Sequence, residues 1–196
     1  MRGHKSFKKI VFSFKTTNKI KKLQQECRRL DDDIRWLVAL ISDTGMRLSE
    51  AVGLKQQDLV LNHKVPHVSL VPHATRRLKT DSSERLIPLV GASLWAAQQL
   101  TKAMTSTYCF PRYCNEEACN SNSASAAINK WIKTIAGPSA VIHGLRHSFR
   151  DRLREVEAPV DLIDQLGGWS MQSVGQTYGN GYPLVNLREW MLRIPI

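Results

Sequence analysis

Between residues 58 and 90 the apolar pattern changes period, and this change sets the class of fold open to the chain. Leu59-Val60-Leu61, Val68-Ser69-Leu70-Val71 and Arg85-Leu86-Ile87-Pro88-Leu89 are short strand-forming runs, broken by polar and proline-containing turns. Everything on either side follows helical spacing. Ile20, Leu23, Cys27 and Leu30 recur at helical intervals over 18–30, with Lys21, Lys22, Arg28 and Arg29 between them. Asp31-Asp32-Asp33 reads as an N-cap and acidic first turn, opening a more apolar helix from Ile34 to Ser42. Gly45 stops that helix, and a short amphipathic one follows from about Leu48 to Gly53. Beyond Ala92 the spacing predicts helices over 92–104, 122–135, 144–156, 160–166, 171–178 and 184–192, with 105–121 a loop. The expected fold is mostly α with a small three-stranded antiparallel β-sheet.

A chain of 196 residues can bury a core as one domain without disulfide staples. Residues 1–17 read as a basic N-terminal tail or interdomain linker, with Lys5, Lys8, Lys9 and Lys15 interleaved with Phe7, Phe12 and Phe14. Residues 18–196 form the domain. Its last segment, 183–196, is a tail carrying Leu184, Val185, Leu187, Trp190, Met191 and Leu192, which docks on its own core or on a neighbouring copy. No apolar run is long enough to cross a bilayer, and the basic start lacks the apolar centre of a secretory signal. Cys109, Cys114 and Cys119 are evenly spaced, but no CxxC pair or nearby histidine completes a zinc pattern. They are expected to be free thiols, with no metal bound.

Charge narrows the partner. Lys and Arg number 28 against 17 Asp and Glu, a net charge of +11. Such a surface attracts polyanions, and nucleic acid is the usual one because neutralising phosphates releases counterions.

Three segments carry candidate chemistry: Thr44-Gly45-Met46-Arg47-Leu48-Ser49-Glu50, His143-Gly144-Leu145-Arg146-His147, and Leu166-Gly167-Gly168-Trp169 with Tyr178 nine residues after the tryptophan. Cutting a phosphodiester by nucleophilic attack needs a clamp for an anion, and the planar fork of arginine suits it. Arg47 and Arg146 are the candidates. Two fixed cations stabilise the extra charge on a pentacoordinate phosphorus more than they stabilise the ground state. His143 and Arg146 lie three apart at the start of a predicted helix, hence on one face, where the imidazole can bond a phosphate oxygen or handle a proton. A phenol with an ordinary pKa near 10 is a weak nucleophile unless its anion is stabilised, which clustered arginines would do. Glu50 would be repelled by a phosphate, so it is expected to orient Arg47 or brace its helix. Asp43 and Thr44 are assigned similar supporting parts.

Together these boxes resemble the tyrosine recombinases, the phage integrase family, over roughly residues 30–182. The family pattern is T-G-x-R-x-x-E, a lysine in a β-turn, H-x-L-R-H, then L-G-H or a Trp in place of that His, then Tyr. Its parts occur here in the family's order. The resemblance implies the catalytic domain of a site-specific recombinase that cleaves and rejoins double-stranded DNA through a 3′-phosphotyrosyl bond. It also implies the site: Arg47, Lys79, His143, Arg146 and Trp169 around Tyr178 as nucleophile. Lys79, in Arg76-Arg77-Leu78-Lys79-Thr80-Asp81, matches the hairpin lysine that donates a proton to the leaving 5′ oxygen. Arg76, Arg77 and His147 are expected to contact DNA phosphates. Tyr182 is the rival nucleophile, and the family's spacing from the tryptophan favours Tyr178. Gly168 could align with the family histidine instead of Trp169, but the distance to Tyr178 supports the tryptophan.

Because the bond energy is held in the phosphotyrosine and the arginines supply the charge, neither cofactor nor metal is expected. The expected state is a monomer in solution and a homo-tetramer on DNA, exchanging C-terminal segments, with no membrane and no small-molecule substrate. The expected setting is the cytoplasm of a bacterial host, phage or prophage encoded, without the family's upstream DNA-clamping domain. The alternatives are a type IB topoisomerase-like enzyme, a catalytically silent DNA-binding prophage remnant, and a helix-turn-helix regulator that would not need Tyr178.

Overall fold

Asp32 starts the helix around which the other elements pack. Its backbone is extended (φ −132°, ψ 173°) and its carboxylate accepts the Arg35 N–H at 3.0 Å, capping α2, Asp33–Thr44. Every residue of α2 from Leu37 to Thr44 is buried, as expected of a helix with neighbours on all sides. The structure, a computed structural model, describes residues 14, 17–76, 78, 83–169 and 181–195. Around α2 lie α1 (Thr17–Leu30), α4 (Gly91–Lys102), α5 (Ser121–Ala136) and α6 (His143–Glu155). The short α3 (Leu48–Val52) follows α2, and α7 (Val160–Gly167) packs on α6. α1 buries Ile20, Leu23, Gln24 and Cys27, the stripe that its periodicity predicted.

The sheet is the three-stranded antiparallel one expected: β1 (Leu59–Val60), β2 (His67–Leu70) and β3 (Arg85–Pro88), in that order. Val68 stands opposite Leu59 on one side and Ile87 on the other, which puts Val68, Leu70 and Ile87 into the core. β3 also meets α7 and α8 (Leu184–Leu192), so the sheet joins the two ends of the domain.

Leu187, Met191 and Ile194 are buried in the common core, so in this single chain the C-terminal tail docks on its own domain. Phe14, assigned to the basic tail by sequence, is buried too. The helix expected over 171–178 lies outside the described residues.

The free-thiol expectation needs correcting. Cys27 and Cys109 are free and buried, and burial pushes both thiols well above their ordinary range. Cys114 and Cys119, however, are joined as a disulfide across an antiparallel bridge. The side chain of Asn115 accepts the N–H groups of Glu117 and Ala118, and this turn brings the two cysteine Cα atoms to 4.1 Å. Among the described residues, no helix is long and apolar enough to cross a membrane.

Candidate active site

The first arginine is delivered by a helix stop. Gly45 has φ +62° and donates its N–H to the Ile41 carbonyl at 3.0 Å, closing α2 in the left-handed region. A Cβ at this position would overlap the Phe149 ring of α6, so glycine is required for space as well as for φ. The reversal buries Met46 and leaves Arg47 at the head of α3. There the Glu50 carboxylate accepts the Arg47 N–H at 2.8 Å and its Nη1 at 2.5 Å, and also takes Nη2 of Arg85 at 3.0 Å. Burial alone would raise the pKa of Glu50; Arg85 and Arg47 outweigh it and hold the carboxyl below its ordinary value, hence ionised. Arg85 is itself fixed by carbonyls, giving Nη1 to Ser83 at 2.6 Å and Nε to Leu166 at 2.9 Å.

The second arginine comes from α6, one turn beyond His143. Arg146 is 4% exposed, with Nη1 donating to the Gly45 carbonyl at 2.5 Å and Nη2 to that of Gly167 at 2.6 Å. Arg47 sends its own Nη2 to the next carbonyl, Gly168, at 3.3 Å. Two guanidinium groups 99 positions apart therefore meet at one dipeptide. Among the described residues no carboxylate forms an ion pair with Arg146. Burial, followed by the charge of Arg47, pulls its pKa down to about 9, which leaves it a cation at neutral pH in a site short of negative charge.

The meeting point is the C-cap of α7. Gly168 has φ +59°, and Trp169 N–H donates to the Asp164 carbonyl at 3.0 Å. This turn folds the indole ring over Gly167, where no Cβ could fit. The Arg146 Cζ lies 4.4 Å and the Arg150 Cζ 4.8 Å from the centroid of that ring. His143 and His147 are exposed on the first turns of α6, their rings edge to face at 4.8 Å. Partial burial, then the charges of His147, Arg146 and Arg47, lower the pKa of His143 below 6.5, so the neutral imidazole dominates at pH 7.

Arg47, Glu50, Arg146 and Trp169 are thus brought together, with His143 one helical turn from Arg146. Lys79, Arg77 and Tyr178 lie outside the described residues. Arg76 departs from expectation. Its guanidinium is buried against Asp58 at 2.7 Å and also donates to the Gly53 and Val71 carbonyls, so it cannot face a DNA phosphate. An 18-residue separation hides that partnership from local sequence reading. Sequence reasoning also passed over Arg150, and it took Arg85 for a neighbour of Arg76 and Arg77 in a phosphate-contacting turn, where the structure pairs it with Glu50. No local signal marks that pairing, because the burial that makes Glu50 need a second cation arises only in the fold.

The sequence profile of the phage integrase family matches residues 14–183. The chain belongs to that family. A tyrosine recombinase XerD from Corynebacterium glutamicum is 30% identical over 151 residues, covering 74% of this chain and 47% of that protein. The chain therefore spans about half the length of the curated relative it matches. Among solved structures, XerA recombinase superposes with a TM-score of 0.63 at 19% identity, over 100% of this chain and 67% of its own. XerH, bound to palindromic difH substrate in a post-cleavage complex, gives 0.57 at 18% identity over 91% and 49%. The Tn1549 transposon integrase with transposon right end DNA gives 0.58 at 18% over 91% and 65%. At these identities the likeness shows the fold.

In this phage integrase domain the rival tyrosine is already committed. The Tyr182 hydroxyl lies 3.2 Å from both Asp161 carboxylate oxygens, and its backbone N–H and carbonyl are both held by the Gln165 amide, at 2.8 and 3.1 Å. Burial and the Asp161 carboxylate raise the phenol pKa, which keeps Tyr182 protonated.

Proposed function

We propose that this domain is the catalytic part of a site-specific recombinase that cleaves and rejoins double-stranded DNA through Tyr178. The observation that carries the reading is the convergence of Arg47 and Arg146 on the Gly167–Gly168 carbonyls, immediately before the segment bearing Tyr178. Each of these guanidinium groups has N–H donors beyond those that hold it, and in this reading a phosphate takes them up. The net charge of +11 favours a phosphate backbone, and XerH and the Tn1549 integrase are described bound to DNA.

In the proposed reaction the Tyr178 oxygen attacks the scissile phosphorus and the bond to the 5′ oxygen breaks. The phenolic proton leaves through His143, which is neutral near pH 7 and so free to accept it, and Lys79 gives a proton to the departing 5′ oxygen, which leaves as a hydroxyl. Arg47, Arg146 and the Trp169 indole N–H hold the non-bridging oxygens. Attack by a 5′ hydroxyl of a partner strand reverses each step and frees Tyr178. Glu50 acts through Arg47, and His147, exposed beside His143, meets an adjacent phosphate. The chain acts as a tetramer on DNA in the bacterial cytoplasm. The hydrogen bond that the protonated Tyr182 hydroxyl gives to Asp161 argues against the alternative nucleophile.

The test is a library of nicked duplexes of randomised sequence, from which protease-sensitive protein–DNA adducts are recovered and sequenced. Wild type is expected to yield adducts, Tyr182→Phe to retain them and Tyr178→Phe to lose them. Adducts that persist in Tyr178→Phe would remove Tyr178 from its role.

A further inference from the structure

We infer that Arg150 is a positioning residue for this chemistry: held by Asp164, its guanidinium lies against the Trp169 ring and fixes the direction of the indole N–H. The inference rests on the recombinase reading for its consequence, though not for its geometry. Arg150 sits one helical turn beyond Arg146, so both project from the same face of α6. Both reach the same ring, at 4.4 and 4.8 Å. Two like charges against one indole would repel, and Asp164 answers this by taking Arg150 Nη2 on its carboxylate at 3.1 Å. The same Asp164 accepts the Trp169 N–H on its backbone carbonyl at 3.0 Å. One residue of α7 thus grips the tryptophan by its main chain and the arginine by its side chain, and Gly167 supplies the floor beneath the ring.

Two observations separate this from an ordinary surface ion pair. The Asp164 side chain is only 6% exposed, and burial raises its pKa, so the pair is partly desolvated. In addition, Arg150 Nε is buried with no hydrogen-bond partner among the described residues. An arginine free to choose its rotamer would solvate that N–H; here the guanidinium is kept over the ring, 4.8 Å from its centroid. A cation on an aromatic face also draws on the π-electrons, which makes the indole N–H a stronger donor to a phosphate oxygen. Arg150 therefore serves the donor rather than the phosphate.

The test is a double-mutant cycle on the rate of covalent adduct formation at saturating nicked DNA. Arg150→Gln should slow the rate about tenfold with DNA affinity little changed, as loss of an orienting partner does elsewhere. Arg150→Lys should recover part of the rate. In a Trp169→Phe background, which keeps a ring but lacks the N–H, Arg150→Gln should change nothing further. An equal slowing in both backgrounds would mean that Arg150 acts directly on DNA and would overturn the inference. A second readout needs no activity: the Trp169 indole N–H resonance, identified by its loss in Trp169→Phe, should move in Arg150→Gln and stay in place in a control such as Arg154→Gln. An unmoved resonance would overturn the inference as well. Absence of adduct in wild type would count against the recombinase reading alone and leave the resonance measurement decisive.

Discussion

Arg146 and Arg152 stand six residues apart on one helix, at 4% and 3% exposure, yet they are satisfied in opposite ways. Arg152 points to the interior and forms an ion pair with Asp43 at 3.4 Å through Nη1, its Nη2 bonding the Ser42 carbonyl while its buried Nε has no partner among the described residues. Asp43 also takes Gln24 at 2.8 Å and the Ala92 N–H at 2.8 Å, so α1, α2, α4 and α6 share one neutral polar hub. Arg146 has carbonyl dipoles on both sides and no carboxylate among the described residues. Charge balance, rather than depth, separates a guanidinium neutralised by a carboxylate from one held by carbonyl dipoles.

The comparison can be broken most sharply at Arg152. Arg152→Met leaves Asp43 buried and unpaired, which should lower folding stability by about 3–5 kcal/mol in denaturant titrations. Adding Asp43→Asn should restore about 0.5–3 kcal/mol, the coupling expected of groups in direct contact. Arg146→Met should do the reverse. Adduct formation should fall by about 10²–10³-fold, a loss of roughly 2.7–4 kcal/mol of transition-state stabilisation, while the melting temperature holds or rises. A large stability loss in Arg146→Met would erase the distinction drawn here.

Gly45 joins the two regions, since its carbonyl holds Arg146 while its missing Cβ admits Phe149. Gly45→Ala should cost about 1–3 kcal/mol from backbone strain alone, and it should slow adduct formation even at temperatures where the protein stays folded. Glu50 gives the comparison a pH axis. Its folded pKa is lowered, so its stabilisation is present above its unfolded value of about 4.3 and is lost as pH falls through the folded pKa. Acid unfolding curves of wild type and Glu50→Gln should therefore converge at low pH and separate at neutrality. The smallest effect concerns His143, whose ring should titrate below 6.5 in the free protein and move upward when DNA phosphate is added, read from its ring-proton shifts.

Much of this was legible in the sequence because it depends on local chemistry. The period change around 58–90 gave the sheet, Gly45 marked the end of α2, and the tail helix spans the expected residues 184–192. The boxes around Arg47, His143 and Arg146 identified groups that long-range packing then joined. What stayed hidden were partnerships between distant charges. Periodicity says that Arg76 sits in a turn, but not that Asp58 will turn its fork inward. It does not show that Asp164 could reach Arg150, nor that an Asn115 turn would bring Cys114 to Cys119. Spacing rules read neighbours on one element, and these contacts are made between elements or within an irregular loop.

The Gln165 clasp on Tyr182 pins the start of the C-terminal tail to α7, because one amide side chain of that helix takes up both main-chain polar groups of the tyrosine. The same helix carries the two carbonyls on which the arginines meet. The anchor of the tail and the meeting point of the arginines are thereby borne by one helix, and a shift of α7 would displace both at once.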